Sequence, residues 1–123
     1  MLGNLNRKQV AQHLSKSHAM ALISSHETFG IAYIEALASG NVILGYKNGG
    51  ANDIINENNG LIIDNYNLDT IANGLLHIYN YYDRYNIKEI SRSAKKIYGE
   101  SSFVHYYLSL INDILETTHT GKR

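Results

Sequence analysis

The sequence predicts a parallel α/β sheet flanked by helices. Two observations carry that prediction. Short apolar runs, HAMALIS, VILGY and LIID, alternate with longer stretches of helical periodicity. Glycine-bearing turns separate them, at Gly40, at Asn48-Gly49-Gly50 and at Asn59-Gly60. The chain has 123 residues, 44% of them apolar, which is one domain with material for a core.

The elements follow in order. Asn6 stands where a helix N-cap belongs, ahead of RKQVAQHLSKS, whose Val10 and Leu14 fall on the inward side. HAMALIS, residues 18–24, is apolar and too brief for a helix, so it is predicted as a buried strand. Residues 29–38 read as a helix, with Gly40 in the position of a C-terminal glycine. VILGY, 42–46, is the next strand. KNGGAND carries the strongest turn signal, and a short helix over about 51–56 leads into the turn NENNG. LIID, 61–64, is the third strand. Two helical stretches follow, with Ile71, Leu75, Leu76 and Ile78 along one face and Ile87, Ile90, Ala94 and Ile97 along another. SSFVHYYLSLINDILE reads as a last amphipathic helix capped by Ser101 or Ser102. The domain is thus expected over residues 1–118, with a polar tail at 119–123.

Composition excludes several classes. Eleven basic and eleven acidic side chains cancel, which gives no charge argument for nucleic-acid binding. No cysteine is present, so there is no disulfide framework and no thiolate metal site; this fits a reducing, cytoplasmic setting. No apolar run reaches the roughly 18 residues of a membrane span, and the first residues lack the apolar core of a signal peptide. The abundance of asparagine, isoleucine and tyrosine and the lack of proline read as compositional bias.

The stretch that carries chemistry is SSHETFGIAYIEALASG, residues 24–40. It joins the end of a strand to the start of a helix, where parallel sheets bind ligands. A helix start offers unpaired N–H groups and about half a positive charge, and Gly30 lets a ligand come close. A phosphate suits that mouth. Glu27 beside it would repel a phosphate, yet it could accept hydrogen bonds from sugar hydroxyls carried beyond one. Glu35 lies eight residues on, which at ~1.5 Å per helical residue is on the order of 10 Å. That spacing suits a diphosphate with a sugar on either side, one acid holding a hexose and the other a ribose. The plainer reading makes Glu27 an acid favoured by the helix dipole and Glu35 a solvent-facing residue.

The pattern Ser24, Glu27, Phe29, Gly30, Glu35, Ala36, Leu37, Ala38, Gly40 resembles the signature of glycosyltransferase family 4, the group 1 glycosyltransferases. The likeness continues through VILGY, Gly49-Gly50, Asp53 and Asn59-Gly60, and covers about residues 1–80. It implies a GT-B enzyme whose Rossmann-like C-terminal domain binds a nucleotide diphosphate sugar, and transfer with retention to a hydroxyl acceptor in polysaccharide or glycolipid synthesis. It implies no cofactor and no metal. It assigns Glu27 as the catalytic residue that meets the donor sugar, with Thr28, Phe29, Gly30 and Ile31 at the sugar and diphosphate. Glu35 goes to the ribose, and the loop Gly3, Asn4, Leu5 to the base side.

Two departures qualify the likeness. Asn41 stands where the family has proline, a mild change at a strand start. The family's first strands, its basic diphosphate ligands and its acceptor lobe have no counterpart here. The expectation is an incomplete C-terminal domain, inactive alone, that needs its N-terminal lobe or self-associates through an open sheet edge. The rival readings are a non-catalytic nucleotide-sugar-binding subunit and an inactive truncated remnant.

Other residues have plainer explanations. Arg84, Lys88, Arg92, Lys95 and Lys96 could meet an inner membrane surface or an anionic acceptor, but a solvated helix face explains them more simply. Tyrosines 79–85, 106 and 107 could flank an acceptor, or pack with a polar tip outward. His26 could touch a donor phosphate. His13, His18, His77, His105 and His119 lack ligand spacing, and Ser24, His26 and Glu27 are sequence neighbours without being a triad.

Overall fold

A computed structural model describes residues 1–99 and Glu116. The last predicted helix and the polar tail therefore lie outside the described residues, Glu116 excepted. The element order is α1 (Arg7–Ser15), β1 (Ala19–Leu22), α2 (Ile31–Ala38), β2 (Val42–Tyr46), α3 (Gly49–Ile54), β3 (Gly60–Ile63), α4 (Leu68–Tyr81), a 3-10 turn (Tyr82–Arg84) and α5 (Ile87–Tyr98). The strands form one parallel sheet in the order β1-β2-β3. Ala19 pairs with Val42, and Ile43 with Gly60. This is the α/β, Rossmann-like layering that alternating strands and helices predict.

β2 is the middle strand. Val42, Ile43 and Leu44 are buried because helices cover both faces of the sheet. On one face lie Tyr33, Ala36 and Leu37 of α2 and Ile54 of α3, with Ile90 and Ala94 of α5 behind α2. On the other, α4 packs against β2 and β3 and buries Ile78. Each large aliphatic taken fully out of water contributes roughly 1.5–3 kcal/mol, so this set of side chains holds the sheet to its helices.

The prediction for β1 is corrected. None of its residues is buried: Ala19 and Ala21 are exposed, Met20 and Leu22 half-buried. Among the described residues β1 pairs only with β2. A cleft of about 500 Å³ runs beside it, lined by Met20, Leu44, Leu75, Ile78, Tyr79 and Tyr82 among others. Leu75, Leu76 and Tyr79 on α4 are correspondingly exposed. Ile97 on α5 is also exposed, and Val10 and Leu14 on α1 are half-buried only.

Asparagine proves structural as well as abundant. Asn6, Asn48, Asn67 and Asn86 cap α1, α3, α4 and α5, each accepting a hydrogen bond from an N–H in the helix's first turn. Asn6 and Gln9 form a reciprocal capping box. Asn41 is fully buried and is more than a mild replacement of proline. Its Nδ2 donates to the carbonyls of Leu14 (2.9 Å) and Ala36 (3.3 Å), tying α1 and α2 to the start of β2.

Candidate functional site

The carboxyl ends of β1 and β2 bring two loops together, residues 23–30 and 47–48. The sequence places the α2 helix start at Phe29, but the structure starts it at Ile31. Gly30 is the N-cap in the left-handed conformation, with φ 64°. L-residues other than glycine pay for that conformation, and a Cβ here would lie 2.5 Å from Ile54 Cδ1. Only the four steps from Ile31 to Glu35 are helical, about 6 Å of rise. The eight-residue helical estimate therefore does not apply, because residues 27–30 turn back on themselves.

That turn is held from two sides. The Gly50 N–H donates to the Glu27 carbonyl at 3.0 Å. A Cβ on Gly50 would sit 2.8 Å from that oxygen and 3.2 Å from the Gly30 nitrogen, so the α3 backbone presses directly on the α2 mouth. Asn48 completes the clamp. Its Oδ1 accepts from the Ala51 N–H at 2.8 Å, and its Nδ2 donates to the Ser24 carbonyl at 2.8 Å. The turn predicted at Asn48-Gly49-Gly50 is thus the first turn of a helix, which runs Gly49–Ile54 and not 51–56.

Within the mouth, the Glu27 carboxylate accepts a hydrogen bond from the Gly30 N–H at 3.3 Å. Glu27 is half-buried, and Thr28, Phe29 and Ile31 are exposed. Among the described residues no side chain caps the N–H groups of Ile31, Ala32 or Tyr33, which helix geometry leaves without partners inside the helix. Tyr33 is fully buried under the loop and donates its hydroxyl to the Leu22 carbonyl at 3.0 Å. Burial raises its pKa and the Glu27 charge adds to the rise, against a lowering contribution from Asn48. Tyr33 therefore stays a donor at neutral pH.

The structure gathers Glu27, Thr28, Phe29, Gly30 and Ile31 at one mouth, with Glu35 half-buried on the second turn of α2. It does not tie Gly3, Asn4 or Leu5 to that mouth. Among the described residues no hydrogen bond joins them to residues 24–31, and Gly3 and Asn4 are exposed. His26 is exposed, its Nδ1 3.0 Å from the Ser25 hydroxyl. Asn48 and Tyr33 are the residues sequence reasoning missed. Asparagine immediately before a Gly-Gly helix start was the available signal for the first.

Other features lie elsewhere. A cleft of about 690 Å³ opens between the ends of α3, α4 and α5, lined by Asp53, Asn56, Tyr81, Arg84, Glu89 and Tyr98 among others. On the basic face, Arg92 is paired with Glu89 at 2.5 Å and Arg84 lies over the Tyr81 ring at 4.3 Å. Among the described residues no three metal-ligating side chains converge, and no helix is long and apolar enough to cross a membrane.

Residues 1–96, which hold this whole site, match the family described as glycosyl transferases group 1. The chain belongs to that family. It is also similar to sucrose-phosphate synthase of Zea mays, 47% identical over 53 residues, and to probable sucrose-phosphate synthase 2 of Craterostigma plantagineum, with the same identity and length. Those segments are 42% of this chain and 5% of either relative, so the chain spans a small part of the curated proteins it matches. The chemistry of group 1 glycosyltransferases is glycosyl transfer. In this member the described residues supply a strand-to-helix mouth bearing an acid on each side of its first turn.

Proposed function

We propose that this chain is the donor-binding part of a retaining glycosyltransferase of GT-B architecture. It holds a nucleotide diphosphate sugar with its diphosphate on the α2 amides. Glu27 takes hydroxyls of the transferred sugar, and Glu35 takes the ribose. The observation that carries this reading is the mouth itself. Gly30 and Gly50 press two backbones together, no side chain among the described residues caps the first amides of α2, and a half-buried carboxylate stands beside them. Leaving-group charge would meet the helix dipole and oriented N–H groups. Calorimetric titration of the full chain with uridine and guanosine diphosphate sugars tests it. Binding of one donor is expected, and Glu35→Ala should weaken it about tenfold, which is ~1.4 kcal/mol. Unchanged affinity in that variant would overturn the ribose assignment.

A second reading is favoured by the exposed β1 edge beside Leu75 and Tyr79. Here the chain is a nucleotide-sugar-binding subunit that completes a separate lobe, and the free edge accepts a further strand from that lobe or from a second copy. Gel filtration should then show association, and Ala21→Lys on the exposed edge should return it to a monomer. A chain that is monomeric at all concentrations would count against an edge-dependent partner.

A further inference from the structure

We propose that Glu27 makes the α2 mouth discriminate between a sugar-bearing diphosphate and a bare nucleoside diphosphate. This rests on the donor reading above and adds a specificity role at the same site.

Glu27 is held at its backbone and at its carboxylate. Its backbone is tied to α3, because its carbonyl accepts from the Gly50 N–H and a Cβ on Gly50 would lie 2.8 Å from that oxygen. Its carboxylate turns inward to the Gly30 N–H, 3.3 Å away. Among the described residues Glu27 forms no ion pair. The protein's own anion therefore occupies an amide at the position where the ligand's anion is to arrive.

An incoming diphosphate must displace that carboxylate or lie against it. A nucleotide sugar offers the displaced carboxylate new partners, since its hydroxyls lie just beyond the phosphates and can donate to both oxygens. A nucleoside diphosphate offers none, and its terminal phosphate carries more negative charge. The carboxylate then loses the Gly30 hydrogen bond and gains only repulsion. In a half-exposed site that repulsion is screened, and it corresponds to roughly tenfold in affinity. Glu27 thereby favours the donor over the product left after transfer, and speeds departure of that product.

The probes are uridine diphosphate and uridine diphosphate glucose, titrated separately into the full chain, with the guanosine pair as a repeat. The wild-type chain should bind the sugar-bearing ligand more tightly. Glu27→Gln keeps an acceptor for Gly30 and for sugar hydroxyls but removes the charge. It should tighten uridine diphosphate about tenfold and move uridine diphosphate glucose by less than about threefold. Glu27→Ala removes both functions and should tighten the diphosphate while loosening the sugar-bearing ligand. A structural role for Glu27 would weaken both ligands together. If wild type binds both ligands and either variant shifts them equally, the discrimination proposal is overturned and the donor reading stands. If the folded wild-type chain binds neither pair, the donor reading falls and takes the proposal with it.

Discussion

The N-terminus of α2 differs from those of α1, α3, α4 and α5. Those four are closed by an asparagine whose side chain accepts from the N–H three residues on. α2 begins on a left-handed glycine that brings no side-chain acceptor, and the carboxylate that reaches its start is that of Glu27 from the preceding loop. An asparagine cap stabilises a helix start by about 1 kcal/mol, so α2 forgoes a device the rest of the chain uses repeatedly. The contrast separates helix starts closed by an asparagine side chain from one that begins on a glycine without such a cap.

The substitution that breaks this contrast most severely is Gly30→Ala. The backbone conformation at φ 64° is strained for alanine, and the new Cβ meets Ile54 and Tyr33 at 2.5 and 3.0 Å. Strain of ~1–2 kcal/mol combines with overpacking of ~1–3 kcal/mol. A loss of roughly 2–5 kcal/mol is expected from the urea midpoint, with donor binding abolished in calorimetry. A variant as stable as wild type would show that the glycine is not needed to shape the mouth.

How much of this was legible in the sequence depended on whether the cause was local. β2 falls on Val42–Tyr46 as predicted, since a strand covered on both faces is a continuous apolar run. α4 and α5 form where their periodicity places helices, but Leu75, Leu76 and Ile97 of the expected apolar faces are exposed. The register of the α2 start did not follow, because Phe29 continues the apolar pattern while Gly30 breaks the helix ahead of it, leaving Phe29 55% exposed. Asn48-Gly49-Gly50 departs from the predicted turn for a related reason: the same residues that favour a turn also cap and open a helix. HAMALIS is apolar, which predicts a buried strand, yet no residue of β1 is buried. Whether a strand is central or at an edge depends on what lies beside it, which no local pattern encodes. At the candidate site, Glu27, Gly30 and Glu35 were visible as residue types in order. Not visible were the press of Gly50 on Glu27 and the clamp from Asn48 to Ser24, both of which join segments about twenty residues apart.

The smaller perturbation sharpens the contrast by using two caps of the same chemistry at opposite ends of α2. Asn48 caps α3 beside the mouth. Asn86 caps α5, which meets the far end of α2, where Ser91 donates to the Ala38 carbonyl at 2.7 Å. Asn86→Ala loses one exposed cap bond and should cost about 0.5–1 kcal/mol. Asn48→Ala loses its cap bond and also leaves the part-buried Ser24 carbonyl without its donor, for about 1–3 kcal/mol in all. The decisive difference lies in ligand affinity. Freed from Asn48, the 23–30 loop can drift from the α3 backbone, and the carboxylate and amides of the mouth lose their mutual placement. Donor affinity should fall at least several-fold in Asn48→Ala and stay within about twofold of wild type in Asn86→Ala. Equal affinities in the two variants would mean that the mouth is placed by Gly30 and Gly50 alone, with Asn48 serving only to cap its own helix.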